Sequence, residues 1–205
     1  MHKHLVLLAK LSRADVVTLL GIIPFIISLY LIGRGEPELA LLASVAAFFF
    51  DSIDGAIARY YGIESTFGRQ LDSSLDMLIY LVFPAYFVLQ FMNPWMLLTI
   101  LSAAVMVAFG ILRLIRFNII GFVYKGNNKC YPGLGTAYIL PVVAVLYIAQ
   151  HYMGSLVTWL VPFVLLGMSF AMISEIPIKK PRLSFWYSAA IAIATILIAL
   201  YYRWL

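Results

Sequence analysis

Long apolar segments separated by short polar connections extend along the chain from about residue 14. A helix that crosses the hydrocarbon core of a bilayer needs about 20 apolar residues. That length predicts seven spans, at residues 14–32, 39–61, 66–92, 95–117, 136–152, 155–173 and 184–203. Charges inside the second, third and fourth spans leave six or eight as alternative counts. The basic and apolar residues before the first span predict a short amphipathic helix at the N-terminus, lying on the membrane surface.

The composition supports this pattern. Hydrophobic residues make up 64% of the 205 residues and charged residues 11%, and the mean hydropathy is +0.99. A soluble domain has about 45–50% apolar and about 25% charged residues, so a soluble domain and a disordered chain are both excluded. The only cysteine, Cys130, excludes an internal disulfide. We therefore predict an all-α integral membrane protein, with residues 1–205 forming a single transmembrane domain.

The basic residues predict the orientation of the spans. With the N-terminus in the cytosol, all of the 14 lysines and arginines except Arg34 and Arg203 lie on the inner side. Loops on the cytosolic side carry such an excess of basic residues. The net charge of +5 is then explained by topology and anionic lipid, and we expect no nucleic acid partner. We expect a multi-pass protein of the cell membrane.

Four aspartates interrupt the second and third predicted spans: Asp51, Asp54, Asp72 and Asp76. A carboxylate inside a membrane costs about 2.5–3.5 kcal/mol and is by default a sign of function. The members of each pair are three or four residues apart and therefore share one helix face. The two spans form a hairpin that turns near residues 62–65, which places both pairs at a depth of roughly 9–15 Å on the cytosolic side.

Converging carboxylates need a counter-charge, and an all-oxygen site favours Mg²⁺, Mn²⁺ or Ca²⁺ over Zn²⁺. Small residues continue the same helix faces at Gly55, Ala58 and Gly68, which predicts a cleft that opens to the cytosol. Arg59 lies one turn after Gly55, and an arginine beside a two-metal site suits a ligand that carries phosphate. Metals that bridge phosphate oxygens stabilise an in-line displacement.

A divalent-cation carrier is the alternative of another class, because four carboxylates could also form an ion pathway. The four aspartates cluster at one depth rather than forming a chain across the bilayer, which argues against a pathway. A carrier predicts metal flux without dependence on a nucleotide, and it leaves the pattern of Gly55 and Arg59 without a reason.

Residues 51–76, DSIDGAIARYYGIESTFGRQLDSSLD, resemble the signature of the CDP-alcohol phosphatidyltransferases. The matching positions are Asp51, Asp54, Gly55, Ala58, Arg59, Gly68, Asp72 and Asp76. The resemblance implies a transmembrane catalytic domain with a six-helix core. It implies an enzyme that displaces CMP from a CDP-linked lipid by the hydroxyl of an alcohol, at a site with two Mg²⁺ or Mn²⁺ ions. It also implies a homodimer.

Residue roles follow from the same resemblance. Asp51, Asp54, Asp72 and Asp76 are implied to hold the metals, and Asp76 is implied to be the catalytic base that takes the proton of the acceptor hydroxyl. The residues implied to contact the CDP-linked lipid are Gly55, Ala58, Arg59, Ser65 and Gly68, joined by Asp15 and Thr18 of the first span.

The segments RLIRFNIIGF and YPGLGTAY, at residues 113–122 and 131–138, are similar to the phosphatidylserine synthase branch of the family. Where that branch has a Gly-Leu-Pro-type turn, this chain has Gly-Leu-Gly-Thr. The branch implies L-serine as acceptor and CDP-diacylglycerol or CDP-archaeol as donor, with inositol phosphate or glycerol 3-phosphate as alternative acceptors. Arg113 and Arg116 either bind a carboxylate or phosphate of the acceptor or are basic residues that set the topology.

Overall fold

The computed structural model describes residues 11–63, 65–121, 123–125 and 128–179. The helices are α1 (Arg13–Leu20), α2 (Ile22–Gly33), α3 (Pro37–Tyr61), α4 (Thr66–Met77), α5 (Phe83–Phe91), α6 (Met96–Ile120), α7 (Ile139–Met153) and α8 (Ser155–Ile173). A π turn (Leu78–Val82) joins α4 to α5, and a 3₁₀ turn (Thr136–Tyr138) precedes α7.

Within the described ranges, six helical segments are long and apolar enough to cross a membrane: Arg13–Gly33, Pro37–Tyr61, Thr66–Phe91, Met96–Ile120, Thr136–Met153 and Ser155–Ile173. They confirm the predicted all-α membrane architecture, and each lies within three residues of a predicted span at both ends. The predicted seventh span at 184–203 and the predicted surface helix before the first span lie outside the described residues.

Local sequence signals set the hairpin between α3 and α4. Gly62 ends α3 with a φ of 61°, a left-handed conformation that favours glycine because it has no Cβ. Ser65 then caps α4, its hydroxyl accepting a hydrogen bond from the backbone N–H of Gly68 at 2.8 Å. The predicted turn near residues 62–65 is confirmed.

The span Thr66–Phe91 lies at the centre of the bundle. Ile79, Leu81, Phe83 and Phe87 are fully buried and form the core with apolar side chains of the surrounding helices. A Cβ on Gly110 of α6 would lie 2.3 Å from a methyl group of Leu81. Glycine at this point therefore lets α6 approach the π turn closely, as small residues do between membrane helices.

The two polar stretches that the sequence predicted as connections form a small antiparallel sheet with the order β1–β2–β3. Its strands are β1 (Val123–Lys125), β2 (Asn128–Pro132) and β3 (Pro177–Lys179). Tyr131 of β2 pairs with Ile178 of β3. The sheet therefore ties the connection between α6 and α7 to the segment that follows α8, at the end of the bundle where the α3–α4 hairpin turns.

Candidate active site

A cavity of about 730 Å³ lies between the helices at the hairpin end of the bundle. Its lining includes every position of the sequence pattern: Asp51, Asp54, Gly55, Ala58, Arg59, Gly68, Asp72 and Asp76. Asp15, Thr18, Ser65 and Arg113 also line it. The structure thus brings together all of the predicted site residues except Arg116.

The four aspartates approach one another from α3 and α4. The charges of Asp51 and Asp72 both act on Asp76, and those of Asp51 and Asp54 both act on Asp72. Asp54 is 2% exposed. Close carboxylates at this burial need a proton or a cation between them, because repulsion in a poorly solvated site is strong.

The donor set of this cluster suits a hard divalent cation. Carboxylate oxygens are ligands that Mg²⁺ and Mn²⁺ prefer, and Oδ1 of Asp51 and of Asp54 are buried oxygens to which no described group donates a hydrogen bond. Buried acceptors normally have a partner, and an ion is one such partner. Among the described residues, no three carboxylate, imidazole or thiol groups already stand in a metal-binding arrangement.

One wall of the cavity is built by the start of α1 packed against the start of α4. Ser12 and Asp15 form a capping box, in which the Asp15 carboxylate accepts from the backbone N–H of Ser12 at 2.8 Å. A Cβ on Gly68 would lie 2.8 Å from Oδ1 of Asp15 and 3.1 Å from the hydroxyl of Ser65. Because Gly68 has no Cβ, the side chains of Asp15 and Ser65 can lie against its backbone at this wall.

Gly55 makes space for the one basic side chain of the signature. A Cβ on Gly55 would lie 3.3 Å from Nη1 of Arg59, so the guanidinium folds back along α3 over the glycine. Arg59 is exposed, and its charge acts on both Asp54 and Asp72. The guanidinium thus lies at the open side of the carboxylate cluster, where an anionic ligand can reach it.

Arg113 is a buried cation of the cavity, with 6% of its surface exposed. Its guanidinium lies over the rings of Phe117 and Tyr131, at 5.2 and 5.8 Å from the ring centroids. No described residue accepts a hydrogen bond from the Nε–H group of Arg113. The negative charge of Asp76 acts on the guanidinium. Burial raises the pKa of Tyr131, so its phenol stays neutral beside the arginine.

Arg116 is placed differently, although it shares a helix face with Arg113. Its guanidinium donates to the carbonyl oxygens of Pro132 and Ile173 at 2.7 Å, of Met172 at 3.0 Å and of Ser174 at 3.1 Å. Arg116 is not among the residues that line the cavity. It caps the end of α8 and holds the turn after β2 in place.

Several polar residues of the cavity were not predicted from the sequence. Tyr80 donates to Oδ2 of Asp51 at 2.6 Å, and the Asn118 amide donates to the Ser73 hydroxyl at 3.0 Å. Tyr131 also lines the cavity. The spacing of four residues between Asp76 and Tyr80 was a usable signal, because such residues lie on one helix face. The approach of β2 to the cavity had no signal in the local sequence.

Comparisons with known proteins agree with the geometry. Residues 11–167 match the family model for CDP-alcohol phosphatidyltransferase. Archaetidylserine synthase of Methanothermobacter thermautotrophicus is 30% identical over 174 residues, which cover 84% of this chain and 70% of the relative. CDP-diacylglycerol–serine O-phosphatidyltransferase of Methanocaldococcus jannaschii is 31% identical over 192 residues, 93% and 85% of the two chains. Archaetidylinositol phosphate synthase of Aeropyrum pernix is 28% identical over 110 residues, 54% and 55% of the two chains.

Proposed function

The chain belongs to the CDP-alcohol phosphatidyltransferase family, and on that premise we propose that it transfers the phosphatidyl or archaetidyl group of a CDP-linked lipid to the hydroxyl of L-serine, releasing CMP. The observation that carries this proposal is the meeting of all eight signature residues in one cavity between membrane helices. The similarity over most of this chain to two relatives whose names include serine supports L-serine as the acceptor.

The carboxylate cluster supports the chemistry of a displacement at phosphorus. The serine hydroxyl oxygen attacks the phosphorus that bears the lipid, the bond from that phosphorus to the bridging oxygen breaks, and CMP leaves with that oxygen. Asp76 accepts the proton of the attacking hydroxyl. Asp51, Asp54, Asp72 and Asp76 would hold two Mg²⁺ or Mn²⁺ ions, which would stabilise the charge of the diphosphate and of the leaving group.

The remaining lining supports binding of a CDP-linked lipid. Arg59 offers an exposed guanidinium to a phosphate, and Gly55, Ala58 and Gly68 leave room for the nucleotide beside it. Asp15 and Thr18 of α1 and Ser65 at the start of α4 line the cavity as well. Beyond the carboxylates, the cavity is lined by apolar side chains of α3 and α7: Leu41, Val45, Leu140 and Ala144. This apolar part suits the start of a lipid chain, since burial of each CH₂ contributes about 0.8 kcal/mol.

Replacing Arg59 with alanine should weaken the binding of the donor. A hydrogen bond to a charged group contributes about 1.5–3 kcal/mol, so we expect the Kd for CMP or the KM for the CDP-linked lipid to rise by roughly 10- to 100-fold. Arg34→Ala is the control, because Arg34 lies at the opposite end of the helices. Unchanged affinity in Arg59→Ala would return Arg59 to a structural role.

Arg113 suits the carboxylate of L-serine, because it is buried in the cavity and the charge of Asp76 acts on it. We expect Arg113→Gln to raise the KM for L-serine by about tenfold or more, since a charge-assisted hydrogen bond is lost. The KM for the donor should change little. Arg34→Gln serves as the matched control. Equal rises in both KM values would show that Arg113 supports the cavity as a whole and does not select the acceptor.

The experiment that tests the proposed function is CMP release by the purified protein with Mg²⁺ or Mn²⁺. CDP-diacylglycerol and CDP-archaeol are offered in turn, each with L-serine, glycerol 3-phosphate, inositol 1-phosphate or inositol as the single acceptor. Release with serine alone supports the proposal. Release only with inositol 1-phosphate would keep the reaction but assign the acceptor of the Aeropyrum pernix relative. Release with none of them would overturn the proposal.

The orientation and the oligomeric state belong to the same proposal. The excess of lysine and arginine on one side supports a cytosolic N-terminus and an active site that opens to the cytosol. Accessibility of single introduced cysteines from either side of a vesicle tests this orientation. The homodimer expected from the resemblance stays a prediction, and the mass of the protein in detergent checks it.

A further inference from the structure

Two hydroxyl groups from separate helical segments hold the two aspartates of α3 in the same way. Thr18 of α1 donates to Oδ2 of Asp54, and Tyr80 of the π turn donates to Oδ2 of Asp51 over 2.6 Å. In both carboxylates the other oxygen, Oδ1, is buried and receives no hydrogen bond from the described residues. Each aspartate therefore has one oxygen held by the protein and one oxygen left for another ligand.

Both hydroxyl donors are themselves fixed by their surroundings. Thr18 is 4% exposed and its hydroxyl also lies 3.1 Å from the carbonyl oxygen of Ala14. Tyr80 is 1% exposed, and its ring packs edge-on against Phe48 with 5.9 Å between the centroids. A donor that is held in one place restricts the rotation of the carboxylate it binds, and hydrogen bonds to a carboxylate are stronger than neutral ones.

The position of Tyr80 depends on the π turn, and Pro84, which follows the turn, explains why it forms. Pro84 lacks an N–H and cannot donate to the carbonyl of the residue four before it, which is Tyr80. The backbone N–H of Phe83 instead bonds to the carbonyl of Leu78, five residues before it. π turns of this kind occur often at functional sites. Here the turn carries the side chain that contacts Asp51 of α3.

We propose that Thr18 and Tyr80 are positioning residues for a divalent cation, each hydroxyl fixing one carboxylate of α3 through Oδ2 so that Oδ1 is presented as a ligand. This inference rests on the proposed function, because the cation belongs to that reaction. Groups that hydrogen-bond to a metal ligand from outside fix its orientation, and their loss costs about 10- to 100-fold in metal affinity. The role of Thr18 here is to orient Asp54, in addition to the contact with the donor lipid that the resemblance implies.

The first test compares Tyr80→Phe with a control at the far end of the bundle. Tyr147→Phe removes a matching bond, since the Tyr147 hydroxyl donates to the Glu38 carboxylate over 2.6 Å, and neither residue lines the cavity. Titration of the purified, chelator-free protein with Mn²⁺ by calorimetry gives the Kd. We expect a Kd raised about 10- to 100-fold in Tyr80→Phe and unchanged in Tyr147→Phe.

The second test uses the other hydroxyl and includes a rescue. Thr18→Val keeps the shape of the side chain without the hydroxyl, and Thr18→Ser keeps the hydroxyl. We expect the Mn²⁺ Kd to rise in Thr18→Val by the same factor of about 10 to 100 and to stay near the wild-type value in Thr18→Ser. Circular dichroism establishes that each variant is folded, and if Tyr80→Phe does not fold, the two Thr18 variants decide.

The outcomes separate this inference from the proposed function. A wild-type Kd in folded Tyr80→Phe and Thr18→Val overturns the positioning role while leaving the proposed reaction intact. A wild-type protein that binds neither Mn²⁺ nor Mg²⁺ overturns the metal site of the proposed function itself. A raised Kd in Tyr147→Phe as well would show a general loss of stability rather than positioning.

Discussion

Replacing Asp76 with asparagine should abolish CMP release and leave binding of the CDP-linked lipid largely in place. Asparagine has the size of aspartate but cannot take the proton of the acceptor hydroxyl, and loss of a general base costs about 10²- to 10⁴-fold in rate. The other three proposed metal ligands, Asp51, Asp54 and Asp72, are unchanged in this variant, so the affinity for the donor should fall much less than the rate. Single-turnover CMP release and equilibrium binding of the CDP-linked lipid measure the two quantities separately.

Glu38→Gln is the matched control for this variant. It also converts a carboxylate in a membrane helix to an amide, but Glu38 contacts Tyr147 outside the cavity, so turnover should stay near the wild-type rate. Turnover near the wild-type rate in Asp76→Asn would remove Asp76 from the role of base. Loss of donor binding in step with turnover would instead make Asp76 mainly a metal ligand.

The membrane spans and the aspartate cluster could be predicted because both depend on local spacing. A run of about 20 apolar residues is enough to identify a span, and the six described spans match the prediction. The four aspartates lie in adjacent helices joined by a turn of four residues, so the helix period alone places them together. Gly62, with its left-handed φ, and the Ser65 cap mark that turn in the sequence.

The different roles of Arg113 and Arg116 could not be predicted from local spacing. Arg113 and Arg116 are three residues apart and share a helix face, so the sequence offers both the same role. The two arginines differ because the guanidinium of Arg116 donates to carbonyl groups at the end of α8. These carbonyl groups lie 56–58 residues further along the chain. The contact of Tyr80 with Asp51, 29 residues apart, depends in the same way on packing between helices.

The small sheet was missed for a different reason. Its strands are three to five residues long, and the stretches that contain them are polar and include prolines, which indicate loops in a sequence. Pairing between β2 and β3 joins residues 130–132 to residues 177–179. Such a pairing depends on α7 and α8, which bring the two segments to the same end of the bundle.

Replacing Gly133, in the turn that follows β2, should have a large effect on stability. Gly133 has a φ of 79°, and a Cβ there would lie 2.4 Å from the carbonyl oxygen of Met172 and 2.8 Å from that of Ser174. Both atoms belong to backbone that Arg116 already holds, so neither can yield easily. Gly133→Ala should therefore lower the thermal stability strongly, and the accompanying shift of residues 133–138 should raise the KM for the acceptor.

Gly35→Ala isolates the steric part of that effect. Gly35 has nearly the same φ of 74°, but no atom lies within 4 Å of its Cβ position. An alanine in the left-handed region costs about 1–2 kcal/mol at either position, whereas overpacking adds roughly 1–3 kcal/mol or more at Gly133 alone. Thermal unfolding in detergent should show the larger loss in Gly133→Ala. Equal losses would mean that the end of α8 moves freely and that Arg116 does not hold the turn against it.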